Sequence, residues 1–122
     1  MTRILLVDDS DDVRRSMHAV LADAISDATV GEASDAAQAL AALAGGPWDV
    51  VLLDLSLPDR SGLETLREIR RRWTTLPVVV MSFHSEIEYA GVTRAAGAAG
   101  YVAKGSSSEI IAAAVRNALA AP

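Results

Sequence analysis

Three runs of consecutive aliphatic residues constrain the fold of this chain more than any other feature of its sequence. They are "RILLV" (residues 3–7), "DVVLLD" (49–54) and "PVVVMS" (77–82). A strand with one face in water alternates apolar and polar residues, whereas a strand buried on both faces is apolar throughout. Stretches with a helical pattern separate these runs, and helical crossovers join parallel strands. The sequence therefore predicts a parallel sheet with helices on both faces.

Two weaker strands and five helices complete the predicted fold. The further strands are "ATVGEAS" (28–34) and "GYVAK" (100–104). Five strands that alternate with five helices predict a doubly wound α/β fold of the flavodoxin-like type, for which the common strand order is 2-1-3-4-5. Serine caps and Ser-x-x-Glu capping boxes indicate where most of the helices begin. The expected helix starts are Ser10, the first residue of "DAAQALAALA" (35–44), Ser61, Ser85 and Ser106.

The composition fits one acidic domain and argues against several classes of protein. The 122 residues suit a single hydrophobic core, so we expect one domain over residues 1–122. The net charge of −5 argues against direct binding of nucleic acid, because proteins that bind it are usually basic. The absence of cysteine excludes disulfides and thiolate metal sites. No apolar run is long enough for a signal peptide or a membrane span, so we expect a cytoplasmic protein.

Polar residues stand at the carboxyl ends of four predicted strands. Asp8 and Asp9 follow strand 1, Asp54 ends strand 3, Ser82 ends strand 4 and Lys104 ends strand 5. Doubly wound sheets bind ligands at this edge, and neighbouring strands lie about 4.8 Å apart. In the expected strand order the three carboxylates crowd together, with a hydroxyl one strand away from Asp54 and the flexible lysine within reach of it.

The crowded carboxylates predict a divalent metal ion. Two such charges 4 Å apart repel by about 4 kcal/mol at an effective dielectric constant near 20, and a cation relieves this repulsion. Carboxylate, carbonyl and water oxygens are the usual ligands of Mg²⁺. With the metal bound, the carboxylate of Asp54 can attack a phosphoryl group and form an aspartyl phosphate. Ser82 and Lys104 can then stabilise charge on the phosphoryl oxygens, as Mg²⁺ does.

These motifs resemble those of a response-regulator receiver domain, the phosphoacceptor of bacterial two-component signalling. The resemblance covers essentially the whole chain, through "LLVDD", "DVVLLDLSLPDRSGLE", "VVVMS" and "GYVAK" in that order. It implies that a sensor histidine kinase phosphorylates Asp54. It also implies that Mg²⁺ is held by Asp9, with Asp8 in support, by Asp54 and by the backbone carbonyl of Ser56.

The resemblance further implies how the phosphorylated state acts. Ser82 and Lys104 would stabilise it, and Tyr101 would change rotamer together with Ser82. The last third of the chain most resembles receivers that precede a helix-turn-helix output domain, which implies transcriptional control through the surface formed by the last two helices and the strand between them. Two positions depart from the common pattern. Phe83 replaces a small residue and is expected to restrict access to the phosphoryl group, and Gly105 stands where many receivers have proline.

Simpler roles and other functions stay open beside this interpretation. Asp8 and Asp9 can cap a helix, Lys104 can be an ordinary solvated lysine and Tyr101 can be a packing residue. His18 is expected to be a surface or packing residue.

A phosphatase with an aspartate nucleophile usually has a second aspartate two residues later, where this chain has Ser56, so we predict no enzyme activity beyond the chain's own phosphorylation and dephosphorylation. The alternative function is a degenerate receiver that acts only in interaction or dimerisation. The alanine-rich last helix also leaves a homodimer open.

Overall fold

The computed structural model describes residues 1–83 and 86–120, with side chains for all of these except residues 86–89. In this part of the chain, five parallel strands form one sheet in the order β2-β1-β3-β4-β5, as the sequence predicts. The strands are β1 (Thr2–Val7), β2 (Ala28–Ala33), β3 (Val50–Asp54), β4 (Val78–Ser82) and β5 (Gly100–Ala103). The helices are α1 (Asp11–Ala24), α2 (Ala36–Ala44), α3 (Gly62–Arg72), α4 (Glu86–Ala95) and α5 (Ser108–Ala120).

The sheet separates two hydrophobic cores, which explains why its central strands are apolar throughout. In β1, Ile4 and Leu6 join the core on the side of α1 and α5, whereas Leu5 and Val7 join the core on the side of α2 and α3. The residues of β3 and β4 alternate in the same way. None of the helices within the described ranges is long and apolar enough to cross a membrane.

Helix caps follow the sequence prediction at two serines and depart from it at a third. The hydroxyl oxygen of Ser10 accepts a hydrogen bond from the backbone N–H of Val13, and Ser61 caps α3 in the same way. The predicted start of the last helix at Ser106 is wrong. The N–H of Ser106 is bonded to the carbonyl of Ala103 in the turn after β5, so Ser107 caps α5 instead. The predicted cap at Ser85 lies outside the described residues.

The loop between β3 and α3 carries Ser56 and is fastened to its surroundings at two points. Gly62 begins α3 where a Cβ atom would lie 2.3 Å from the Cα of Leu55, so only glycine fits there without displacing the backbone. The carboxylate of Asp59 accepts hydrogen bonds from the N–H groups of Ala36 and Ala37, at 2.9 and 3.0 Å. The loop is thereby fixed to the first turn of α2.

We predict that Gly62→Ala lowers the free energy of unfolding by about 1–3 kcal/mol, the usual range for forcing atoms into a packed region. The matched control is Gly91→Ala in α4, where a Cβ meets no atom within 4 Å. That change should raise stability by about 0.5–1 kcal/mol, because alanine favours a helix more than glycine does. Urea denaturation measures both values, and equal effects of the two changes would contradict the close approach.

We also predict that the contribution of Asp59 to stability depends on pH. The N–H groups of Ala36 and Ala37 hold the pKa of the Asp59 carboxyl below its ordinary value of 3.8. Because this pKa is lowered in the folded state, the stability that it confers is complete above the ordinary value and is lost as the pH falls through the lowered one. The stability difference between the wild type and Asp59→Asn should therefore be constant from about pH 7 to 5 and shrink below about pH 4. A difference that does not change with pH would show that the charge is not involved.

Candidate functional site

The sequence-predicted site residues meet at the carboxyl edge of the sheet because the strand ends are level there. Val7 of β1 is paired with Leu53 of β3, so the following residues, Asp8 and Asp54, lie side by side. On the other side of β3, the register brings Asp54 beside Met81 of β4. The strands thus place two carboxylates next to each other with no loop between them.

Lys104 reaches across β4 to Asp54 at the end of β3 and also to Asp8, which follows β1. Its Nζ atom lies 2.8 Å from Oδ2 of Asp8 and 2.9 Å from Oδ2 of Asp54. Its side chain is 6% exposed, and those of the two aspartates are fully or almost fully buried. The backbone N–H of Lys104 donates to the carbonyl of Ser82 at 2.7 Å, which fixes the start of the side chain. The solvated alternative for Lys104 is therefore wrong.

Each buried carboxylate has one oxygen bound to the backbone and one oxygen directed into the site. Oδ1 of Asp8 accepts from the N–H of Ser10, and Oδ1 of Asp54 accepts from the N–H of Ser56, both at 2.9 Å. The two Oδ2 atoms are buried and receive no hydrogen bond of good geometry from the residues that the structure describes. Lys104 is the ion-pair partner of both Oδ2 atoms but balances only one of the two negative charges. Each carboxylate oxygen has a further lone pair that can bind another cation.

The three acids fit a divalent cation. One carboxylate oxygen each of Asp8, Asp9 and Asp54 lies within 4.8 Å of the other two, and Asp9 is exposed. Ligands of one Mg²⁺ ion lie up to about 4.2 Å apart, since each is about 2.1 Å from the ion. Small side-chain adjustments would therefore bring these oxygens into one coordination sphere. The predicted contribution of the Ser56 carbonyl stays a prediction.

Burial changes the protonation equilibria at the centre of the site. It raises the pKa of the Asp54 carboxyl above its ordinary value, against the lowering effects of the Ser56 amide and of Lys104. Burial alone would lower the pKa of the Lys104 ammonium, but Asp8 and Asp54 outweigh it and the pKa is raised. The lysine therefore stays charged at neutral pH, and a further cation would help Asp54 to stay ionised.

The remaining predicted residues surround this centre. Ser82 is buried at the end of β4, and the half-buried Tyr101 packs on the α2 and α3 side of the sheet. The switch roles of both residues stay predictions. Phe83 is 75% exposed, and its ring centroid lies 4.9 Å from Nζ of Lys104, so the ring stands over the ammonium at the mouth of the site.

One residue that the sequence analysis missed contacts the site. Nη1 of Arg14 donates to the backbone carbonyl of Asp8 at 2.6 Å. The sequence shows only that Arg14 lies one helical turn after the cap at Ser10. An arginine at that position has many possible partners, so the contact with Asp8 could not be predicted. His18, expected at the surface or in packing, lies on the same helix and its ring contacts Glu32 at 2.9 Å.

Comparison with known proteins relates the chain to one family. The family model described as the response regulator receiver domain matches residues 4–116. Response regulator UvrY of Escherichia coli K12 is 35% identical over 117 residues, which are 96% of this chain and 54% of that protein. The transcriptional activator protein ExaE of Pseudomonas putida is 34% identical over 117 residues, which are 96% of this chain and 55% of that protein. The chain thus spans about half the length of these curated relatives.

A solved structure agrees with this relationship. The crystal structure of a putative response regulator from Chloroflexus aurantiacus J-10-fl superimposes with a TM-score of 0.91 at 27% identity and covers 98% of both chains. The similarity therefore extends over the whole sheet and its helices, including the strand ends that carry the acids and the lysine. The chain belongs to the family of response-regulator receiver domains.

Proposed function

We propose that this domain is a phosphoacceptor switch in which Asp54 receives a phosphoryl group from a sensor histidine kinase. The observation that carries the proposal is the pair of buried carboxylates of Asp8 and Asp54, bridged by one ammonium and each with an oxygen directed into the site. A purely structural ion pair has no need of a third carboxylate, yet Asp9 lies within reach of both. Crowded acids at the ligand-binding edge of a doubly wound sheet suit metal-assisted phosphoryl transfer.

The transfer exchanges one bond to phosphorus for another. A carboxylate oxygen of Asp54 forms a bond to phosphorus while the bond from phosphorus to the imidazole nitrogen of the kinase breaks. The nitrogen keeps the electron pair and takes up a proton. We propose that Asp9, with Asp8 in support, Asp54 and the Ser56 carbonyl would hold Mg²⁺, which when bound neutralises charge on the phosphoryl oxygens.

We propose that the Lys104 ammonium moves to the phosphoryl group when Asp54 is phosphorylated. The unmodified carboxylate carries one negative charge, whereas a phosphoryl group carries about 1.5–2 at neutral pH. The ammonium already lies 2.9 Å from Asp54 and is attached to a flexible stem, so a short movement brings it to a phosphoryl oxygen. We propose that Ser82 donates its hydroxyl to another phosphoryl oxygen and that Tyr101 changes rotamer with it.

The response is proposed to pass to an output through the surface of α4, β5 and α5. The curated relatives are about twice as long as this chain, and one of them is named a transcriptional activator. We therefore propose a transcriptional output, with DNA contacted by another domain and not by this acidic one. A homodimer through α5 is a further proposal, and the phosphorylation-independent interaction module is the alternative that the first test below addresses.

We predict that incubation with Mg²⁺ and a small acyl-phosphate donor adds one phosphoryl group per chain, measured as intact mass. The adduct should be absent without Mg²⁺ and absent in Asp54→Asn. Because the Phe83 ring stands over Lys104 at the mouth of the site, Phe83→Ala should speed both formation and hydrolysis of the adduct. If neither the wild type nor Phe83→Ala forms an adduct, the interaction module becomes the better account.

We also predict that Lys104→Met lowers the free energy of unfolding by about 3–5 kcal/mol without Mg²⁺, because it leaves two buried carboxylates without a charged partner. Adding Asp8→Asn to Lys104→Met should recover most of this loss, since one of the two charges is then removed. Saturating Mg²⁺ should also recover part of it in the single variant. Urea denaturation with EDTA and with MgCl₂ measures these values, and a loss that neither change recovers would point to packing.

A further inference from the structure

Each of the three nitrogens of the Arg14 guanidinium has a partner beside the acidic site. Nη1 donates to the backbone carbonyl of Asp8 at 2.6 Å, Nε donates to Oε1 of Glu32 at 3.0 Å, and Nη2 is paired with Asp11. The Arg14 side chain is 14% exposed, which is low for an arginine on the first helix of a small domain. Burial alone would lower its pKa, but Asp11 and Glu32 raise it, so the group is a permanent cation.

The carbonyl that Arg14 holds belongs to the peptide that joins Asp8 to Asp9. The N–H of Asp8 still follows the sheet and donates to the carbonyl of Ala33 at 3.0 Å. β1 itself ends at Val7. Asp9 is exposed and lies two residues beyond the end of the strand. The orientation of the peptide plane between Asp8 and Asp9 sets the direction in which the Asp9 side chain leaves the backbone. Arg14 therefore holds the peptide group that links the buried Asp8 to the exposed Asp9.

Arg14 is itself held by residues further from the site. Glu32 is on β2 and binds Arg14 through Oε1, while its Oε2 lies 2.9 Å from Nδ1 of His18. Both His18 and Glu32 are about two-fifths exposed, at 43% and 38%. The network thus runs from the surface of α1 and β2 to the backbone of Asp8, a residue of the proposed metal site.

We infer that Arg14 is a positioning residue for the metal site: by clamping the Asp8 carbonyl it keeps the carboxylates of Asp8 and Asp9 within reach of one ion. Lysine could not replace it, because three acceptors are bound by three nitrogens of one planar group. The inference rests on the proposed function, since the site that it concerns is the proposed Mg²⁺ site.

A substitution of Arg14 removes a positive charge and a hydrogen bond to the backbone, and these two losses have opposite expected effects on the affinity for Mg²⁺. A cation close to the acids opposes binding of Mg²⁺ by Coulomb repulsion, so removal of its charge alone would tighten metal binding. Without the hydrogen bond to the Asp8 carbonyl, the peptide group between Asp8 and Asp9 can change its orientation, so metal binding should weaken. The sign of the change in Mg²⁺ affinity therefore distinguishes a positioning role from a simple electrostatic one.

Arg15 provides a matched control on the same helix. It is paired with Asp12 at 3.0 Å with the same spacing that separates Arg14 from Asp11, but its side chain is 76% exposed. No hydrogen bond or ion pair of Arg15 with Asp8 is found within the described residues. Arg14→Gln and Arg15→Gln therefore remove the same charge from neighbouring positions, and only Arg14→Gln removes the clamp.

The experiment is a titration of the metal-free domain with MgCl₂, followed through the backbone amide signals of residues 8, 9 and 54 by NMR. Arg14→Gln should raise the Mg²⁺ dissociation constant by about tenfold, the size typical for residues that orient metal ligands. Arg15→Gln should stay close to the wild type. Arg14→Lys keeps the charge but not the fork of donors, so it should bind Mg²⁺ more weakly than the wild type.

Each outcome decides the inference. Mg²⁺ binding in Arg14→Gln that equals or exceeds that in Arg15→Gln overturns it. So does wild-type affinity in Arg14→Lys, which also serves as the deciding variant if Arg14→Gln does not fold. If the wild type itself shows no response to Mg²⁺, the proposed function fails and the inference fails with it. A wild type that binds Mg²⁺ with unchanged Arg14 variants overturns the inference alone.

Discussion

The buried ion pairs of Lys104 with Asp8 and Asp54 are the interaction on which the site depends. Burying a charge is costly unless a partner and hydrogen bonds compensate, and here one ammonium serves two carboxylates at 2.8 and 2.9 Å. With Asp9 included, three carboxylates and one ammonium leave a formal charge of −2. One divalent cation carries the charge that would balance this excess of negative charge.

The fold supplies this arrangement through level strand ends. Parallel pairing sets Val7 beside Leu53, so Asp8 and Asp54 emerge at the same height. Lys104 therefore has to cross only β4 to reach Asp54, and Asp8 lies beside it on the next strand. The strands can end in charge because their other residues are packed on both sides. The packing of the two hydrophobic cores therefore offsets the electrostatic cost of the site.

Much of the fold and of the site could be predicted from the sequence. Apolar runs identify the strands, and the carboxyl ends of parallel strands lie at the same edge of the sheet. The strand order and the convergence of Asp8, Asp54 and Lys104 are confirmed. The helix start at Ser106 was wrong because the sequence shows two further serines, and only the turn after β5 decides between them.

The contacts of Arg14 could not be predicted either. Its partners come from three parts of the chain, the end of β1, the first turn of α1 and the strand β2. The same holds for Asp59, which reaches α2 across 22–23 positions. Local patterns identify elements and their ends, whereas side-chain contacts between distant segments depend on how the elements pack.

The choice of lysine at position 104 has a consequence for the chemistry of the whole molecule. The chain has 11 basic residues, and Lys104 is the only lysine among them. All other cationic side chains apart from histidine are guanidinium groups, so the single side-chain amine in the protein is 6% exposed, paired with two carboxylates and overlain by an aromatic ring. An amine-selective acylating reagent therefore has one side-chain target, and its rate of reaction there reports how often the site opens.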